Sequence, residues 1–414
     1  MRGVSAQLRA ETALLRSSSG AELQILEQNF DFDLLTPQKL LEKHLGKTIS
    51  IATQNPATGA EQVRSGTVLS TNGGVVLKVG ERIETDPPGR YIFDTMPANL
   101  RDLPTLSVLL NNTKQEERQL ELSYLTGGLS WRADYVAELN ASDKLVDLNG
   151  WVTLSNTSGT DFLNAKLQLV AGDVNIVQEK MSRDVRMRAV AMESNFAGAP
   201  PMSEESLLEY HLYTLQRPTD IGNQQNKQVA LMSASRVPVE KTLVLNGYPH
   251  YYRSSAKQIG QRLKFGVYVE FNNDEKHGLG LPLPRGVVRV YKRDNGGNMQ
   301  FVGEDSIDHT PNKDRIKLKL GDAFDVVADK RQTSFRIDER VLARDLYESS
   351  YEIVITNGKK EAADVIVREP IPGEWSILKS SHPHTRAAAN LAEWRLRIPA
   401  EEKLTLAYTT SVKY

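Results

Sequence analysis

The chain of 414 residues contains no cysteine. That single absence excludes disulfides, thiolate metal ligands, iron–sulfur clusters and cysteine nucleophiles. It leaves the compartment open, because a cysteine-free chain folds in reducing and oxidising surroundings alike. An excess of one charge is also missing. The 51 basic residues are matched by 52 acidic ones, so no whole-chain field draws in nucleic acid or an anionic membrane. No apolar run approaches the roughly 20 residues needed to span a bilayer. The opening Met1-Arg-Gly-Val-Ser-Ala-Gln-Leu8 lacks the apolar core of a secretion signal.

Catalytic signatures are absent in a checkable way. Gly46-Lys47-Thr48 ends like a phosphate-binding loop, but Leu41 stands where the first glycine is required. Gly128-Leu-Ser-Trp-Arg132 lacks the second glycine of a nucleophile elbow. No His-Glu-x-x-His motif and no EF-hand loop occurs. His382-Pro-His384 has no neighbouring carboxylate to complete a metal set. No metal or cofactor is expected.

What is present is strand patterning. Leu129, Trp131, Ala133, Tyr135, Ala137 and Leu139 alternate with Ser130, Arg132, Asp134 and Glu138, a period of two. One pattern occurs twice. A strand-like run reaches Asn156, a polar loop follows, and a second run begins at Ala165; the same happens around Asn357, with the second run beginning at Val365. The two loops read as unequal in length. Such strand pairs are the recurring element of β-sandwiches.

At this length two or three domains are expected. Residues 1–101 read as a β segment, a short helix and a small SH3-like barrel. The helix is signalled by Thr36 as cap, Pro37 in the first turn and Gly46 past the end. The barrel is signalled by Thr48–Thr53, Gly66–Ser70, Val75–Val79 and Arg90–Phe93 between tight turns. Residues 102–329 read as an Ig-like β-sandwich carrying a long, partly disordered excursion at about 176–228, with Glu204–Leu215 as an ordered element inside it. Residues 330–414 read as a second Ig-like β-sandwich.

One cluster pairs carboxylates with an imidazole: Asp305, Asp308 and His309, with Asp322 and Asp325 as residues that could approach it. A carboxylate beside a histidine can orient it as a general base or metal ligand. Asp and His before Thr310-Pro311 are equally good turn formers, and the turn reading is the stronger. The four tryptophans lie in or beside strands, where core packing is the default.

Several stretches resemble a bacterial family of unknown function that includes mucoidy inhibitor A-like proteins. They are Leu26–Phe30, Leu34–Gly46, Gly128–Asp173, Glu209–Leu215, Ile307–Pro311 and Ala323–Val326. The resemblance implies an all-β protein with no established activity, so no catalytic residue is carried over. It also implies a periplasmic or secreted location, and a chain that starts inside the first domain of the longer family pattern. The expected function is binding or envelope structure, with an envelope protein or polysaccharide as partner. The alternative is a hydrolase or metal-dependent enzyme centred on Asp305, Asp308 and His309.

Overall fold

The computed structural model describes residues 1–18, 23–111, 117–172, 202–338 and 346–413. The chain is mainly β, arranged in several sheets, none of them closed into a barrel. It divides into two compact units. One comprises residues 1–130, 154–165 and 219–227; the other comprises 131–153, 166–218 and 228–414.

In the first unit the helix forms as its sequence dictates. It spans Pro37–Lys43, Thr36 Oγ1 accepts from the Lys39 amide at 3.1 Å, and Gly46 takes φ 74°. Leu41 is buried with Ile49, Ile51, Val68, Val75 and Leu77. Those residues come from a five-stranded antiparallel sheet ordered Arg82–Thr85, Val76–Val79, Glu61–Ser70, Thr48–Gln54, Arg90–Ile92. The expected SH3-like barrel is therefore an open sheet. Its two edge strands have only four and three residues, and Pro87-Pro88 between them supplies no amide hydrogens to continue a ladder.

The second unit contains a nine-stranded sheet. Its order is Glu374–Ser380, Lys403–Lys413, Leu346–Asn357, Arg315–Asp338, Gln258–Asn272, Glu240–Asn246, Ala363–Pro370, Leu391–Ile398, Thr385–Ala388. The two end strands are consecutive in the chain, joined by residues 381–384. Five Cα steps reach at most about 18 Å, whereas eight strand spacings in a flat sheet cover about 38 Å. The sheet must curl back on itself. Register shifts between Gly260 and Tyr268 mark where Gln258–Asn272 bends against the 24-residue strand Arg315–Asp338. The curl encloses one core, with Leu243, Phe265, Val326, Ile353, Val367, Trp394 and Leu406 drawn from seven of the nine strands. The boundary expected between residues 329 and 330 falls inside Arg315–Asp338.

Both asparagine motifs form the same arch. Asn156 and Asn357 are 0% and 1% exposed. Each side-chain oxygen accepts from the amide two residues on, Ser158 or Lys359, at 3.0 Å. Each Nδ2 donates to the carbonyl four residues on, Thr160 or Glu361, at 2.9 Å. It also donates across the arch, to Ile221 at 3.2 Å or Ile398 at 3.3 Å. The loops are in register, contrary to the unequal lengths read from sequence. The strands Phe162–Ala165 and Ala363–Pro370 both begin six residues after the asparagine, and Phe162 pairs with Ile221 as Ala363 pairs with Ile398. The exposure of Leu163 hides the start of the first one from a burial pattern.

In the excursion, residues 173–201 lie outside the described residues, so the disorder expected there is not described. The expected ordered element is a hairpin, Met202–Leu207 with Tyr210–Leu215, and the latter strand also pairs with Gln168–Ala171.

An asparagine that serves an amide and at least two carbonyls is costly to remove, since a buried unsatisfied group costs about 1–3 kcal/mol. Asn156→Ala and Asn357→Ala are each expected to lower unfolding stability by about 3 kcal/mol. Urea unfolding followed by tryptophan fluorescence checks this; a midpoint within error of the parent would refute the stitching role.

Candidate functional site

The structure gives the carboxylates and histidine expected from sequence separate duties. Asp305 sits in the strand Met299–Ile307, and its carboxylate accepts from the amides of Ser306 at 2.9 Å and Lys319 at 2.7 Å. Asp308 and His309 form the turn after that strand. Asp308 Oδ1 accepts from the His309 amide at 3.2 Å, and the Asp308 carbonyl accepts from the Thr310 hydroxyl at 2.8 Å. His309 Nδ1 accepts from the Arg285 amide at 3.3 Å. Asp322 is exposed and pairs with Lys319 at 3.5 Å. Asp325 is exposed, and its carbonyl accepts from the Gly358 amide at 2.7 Å. Among the described residues no group of three or more His, Asp or Glu side chains converges on a cation position.

Of these five, Asp322 borders a cleft. The cleft has a volume of about 260 Å³, and Leu139, Val267, Val269, Val302 and Leu320 form its apolar walls. Its charged groups are Asp143, Lys241, Lys292 and Asp322. Asp143 binds the ammonium groups of both Lys241 and Lys292. Burial works to raise the Asp143 carboxyl, and the two lysines overcome it, holding the carboxyl below the usual aspartate value. The carboxylate is aimed by its turn. Asn140 Oδ1 accepts from the amides of Lys144 and Leu145 at 3.0 and 3.1 Å, and Asp143 takes φ 55°, a conformation that aspartate tolerates.

A second constellation lies sealed in the core of the nine-stranded sheet. Lys330 is 2% exposed and Glu369 is 0% exposed, and Nζ meets Oε1 at 2.6 Å. Tyr252 donates its hydroxyl to Glu369 Oε2 at 2.8 Å and lies 3.0 Å from the Tyr408 hydroxyl. The ammonium stands 4.4 Å from the centre of the Tyr251 ring and 5.2 Å from that of Tyr351. Gln332 continues the polar chain, donating to the Tyr351 hydroxyl at 3.2 Å. Burial pulls the Lys330 pKa down while Glu369 opposes it. Burial also lifts the Tyr252 and Tyr408 hydroxyls well above the usual tyrosine value, so they remain protonated donors. Gly247 makes the carboxylate's position possible: a Cβ there would sit 2.1 Å from Oε2.

Reading composition and motifs missed both constellations, although one left a trace. Val326, Ala328, Lys330 and Gln332 are buried at alternate positions of one strand, and Val365, Val367, Glu369 and Ile371 continue the same alternation in another segment. A lysine and a glutamate each occupy the apolar phase, a placement that demands a partner. No comparable trace marks Asp143, Lys241 and Lys292, which lie at strand ends and in a turn.

Removing one partner of a buried pair strands the other charge, at a cost of about 3–5 kcal/mol. Lys330→Met is expected to lose that much; a denaturant midpoint within error of the parent would refute the pairing. At Asp143 the folded-state pKa is depressed, so its contribution is present above the unfolded aspartate value of about 3.9 and lost as pH falls through the lower folded value. Asp143→Asn is therefore expected to cost about 1 kcal/mol at neutral pH. The gap from the parent should close below about pH 4, in urea midpoints measured across pH; a gap independent of pH would refute the ionic account.

Comparison with curated proteins and with solved structures found no match. A family model does match, over residues 120–414, and its span contains the cleft and the sealed pair. On that match, which covers well over half of its length, the chain belongs to the family described as Domain of unknown function (DUF4139).

Proposed function

We propose that the protein is a non-enzymatic, extracytoplasmic β-sandwich protein with Ig-like modules that binds an envelope component, a polysaccharide or a protein. Its affiliation within the family is with mucoidy inhibitor A-like proteins. The observation that carries this reading is the cleft at Asp143. Apolar walls and two ammonium groups fixed in advance by one carboxylate make a recognition site. Its ionisable groups, Asp143, Asp322, Lys241 and Lys292, are each held in an ion pair. Two lysines share one aspartate, and the lining's other carboxylate, Asp322, is paired with Lys319, so the group as a whole keeps a net positive charge that suits carboxylate-bearing sugars or acidic protein surfaces.

The enzyme alternative has less support. The carboxylates of Asp305 and Asp308 and the ring nitrogen Nδ1 of His309 accept from backbone amides, the arrangement of turn formers. Among the described residues no helix is long and apolar enough to cross a membrane.

The test is recovery from the native envelope with tagged full-length protein, parent beside Lys241→Ala/Lys292→Ala. A polysaccharide or protein is expected to accompany the parent and to fall at least about tenfold, one lost charge-assisted contact's worth, with the variant. No partner with the parent, or equal recovery with both, would count against the reading. Protease accessibility in spheroplasts checks the location, and protection there would overturn it. Asp305→Asn/Asp308→Asn/His309→Ala should leave recovery of the partner unchanged.

A further inference from the structure

The sealed pair in the nine-stranded sheet has the composition of a bond-forming site as well as that of an ion pair. Its amine and carboxyl touch at 2.6 Å, both are removed from solvent, and aromatic rings surround the nitrogen. The carboxyl carbon is one bond beyond the contacted oxygen. The second oxygen, Oε2, accepts from the Tyr252 hydroxyl, which is in turn 3.0 Å from the Tyr408 hydroxyl. The Gly247 backbone approaches that oxygen so closely that a Cβ there would sit 2.1 Å from it. We propose that Lys330 and Glu369 are an intramolecular isopeptide site, at which the folded chain joins Nζ to the Glu369 carboxyl carbon as an amide.

The chemistry balances without any other reactant. Across the contact the ammonium returns one proton to the carboxylate, giving a neutral amine and a neutral acid. Burial favours the neutral amine, and that is the direction in which Lys330 is displaced. The nitrogen lone pair attacks the carboxyl carbon. The charge that develops on Oε2 is met by the Tyr252 hydroxyl, a fixed donor in a dry site. Oε1 leaves with two hydrogens as water, and the nitrogen keeps one. One C–N bond forms, one C–O bond breaks, and nothing is oxidised or reduced. Condensation of a free amine with a free acid is unfavourable in water. Two groups held in contact by a folded core react at an effective molarity of about 10⁵ M or more, and the core excludes the water needed for reversal.

The position of the cross-link supports the assignment. Lys330 is in Arg315–Asp338 and Glu369 in Ala363–Pro370, strands separated in the sheet by two others, so no backbone ladder joins them. An amide there would brace the curled sheet across its interior. In a chain with no cysteine, it would do what a disulfide does elsewhere.

Mass spectrometry of the purified full chain under denaturing conditions decides the matter. The parent is expected to weigh about 18 Da less than its sequence, the loss of one water. Tryptic digestion should leave the bond after Lys330 uncut and yield one branched peptide containing Lys330 and Glu369. Glu369→Ala should weigh what its sequence requires, a readout that needs only expressed chain and not a stable fold. A parent at full mass with normal cleavage after Lys330 would overturn the proposal, as would a water loss that maps to any other residue.

Discussion

The buried contact between Lys330 and Glu369 is the constraint around which the nine-stranded sheet is arranged. Backbone hydrogen bonds specify which strand lies beside which, but they do not fix how far a sheet curls. That is set by what its inner face must accommodate. Here the inner face carries one ammonium and one carboxylate, each on a different part of the curl. Leaving either unpaired would cost more than most single core contacts contribute. Only a curl that brings the two strands face to face satisfies both. The tyrosines follow from the same requirement. Tyr252, on a short 3₁₀ turn at Pro249–Tyr252, supplies the donor for the second carboxylate oxygen, and Tyr408 shares its hydroxyl contact. Tyr351 stacks on Tyr408 with ring centres 5.1 Å apart, and Trp394 packs on Tyr408 at 4.8 Å. The aromatic core is the dry surround that the pair needs.

The asparagine arches solve a different problem. A chain passing from one sheet layer to another leaves backbone carbonyls at the corner that no ladder reaches. One asparagine serves such a corner completely, with its oxygen on the near amide and its nitrogen on a near and a far carbonyl. The two arches share a topology. In each, the strand before the asparagine neighbours a late strand, Gln225–Pro238 or Lys403–Lys413, and the strand after it pairs with an intermediate one, Thr219–Ile221 or Leu391–Ile398. The copies differ in what joins the strand after the asparagine to the intermediate one. The first has residues 166–218 and the second residues 371–390. Among the described residues that link takes no part in the arch's own hydrogen bonds. Closing a longer loop adds only slowly to the entropic cost, about 0.6 kcal/mol per doubling. The excursion therefore grew where the arch is indifferent to length.

The parts of this fold that were legible in the sequence are those decided by neighbours along the chain. The cap at Thr36 and the strand read from Leu129 to Leu139 are local devices and formed where their residues require. The arches were legible as a recurring asparagine, but their equal spacing was not, because an exposed Leu163 blurs the strand that follows. The curl of the nine-stranded sheet was illegible. Alternation shows that a strand has an inner face and is silent on whether inner faces belong to two sheets or to one bent sheet. The expected division near residue 330 arose from that ambiguity, and the same strand runs through it. At the candidate sites the asymmetry is similar. Asp308 and His309 are adjacent in sequence, and that adjacency is what suits them to a turn. Asp143, Lys241 and Lys292 are scattered along the chain and meet only in the folded state.

Sealing and exposure then divide the ionisable groups by role. The Lys330 amine and the Tyr252 and Tyr408 hydroxyls, all displaced from their usual pKa values, are groups that solvent does not reach. A perturbed group is a functional candidate when a ligand can approach it; here the perturbation results from burial and acts on the fold. The groups that a partner can approach are the lysines at the cleft, and their carboxylate is depressed by them, not by burial. Depression of that kind holds charge in place across the physiological range, which is what recognition of an anionic surface requires. A proton-transfer catalyst needs the opposite, a group poised to change charge near its working pH. This division agrees with the binding role and the interior cross-link proposed above.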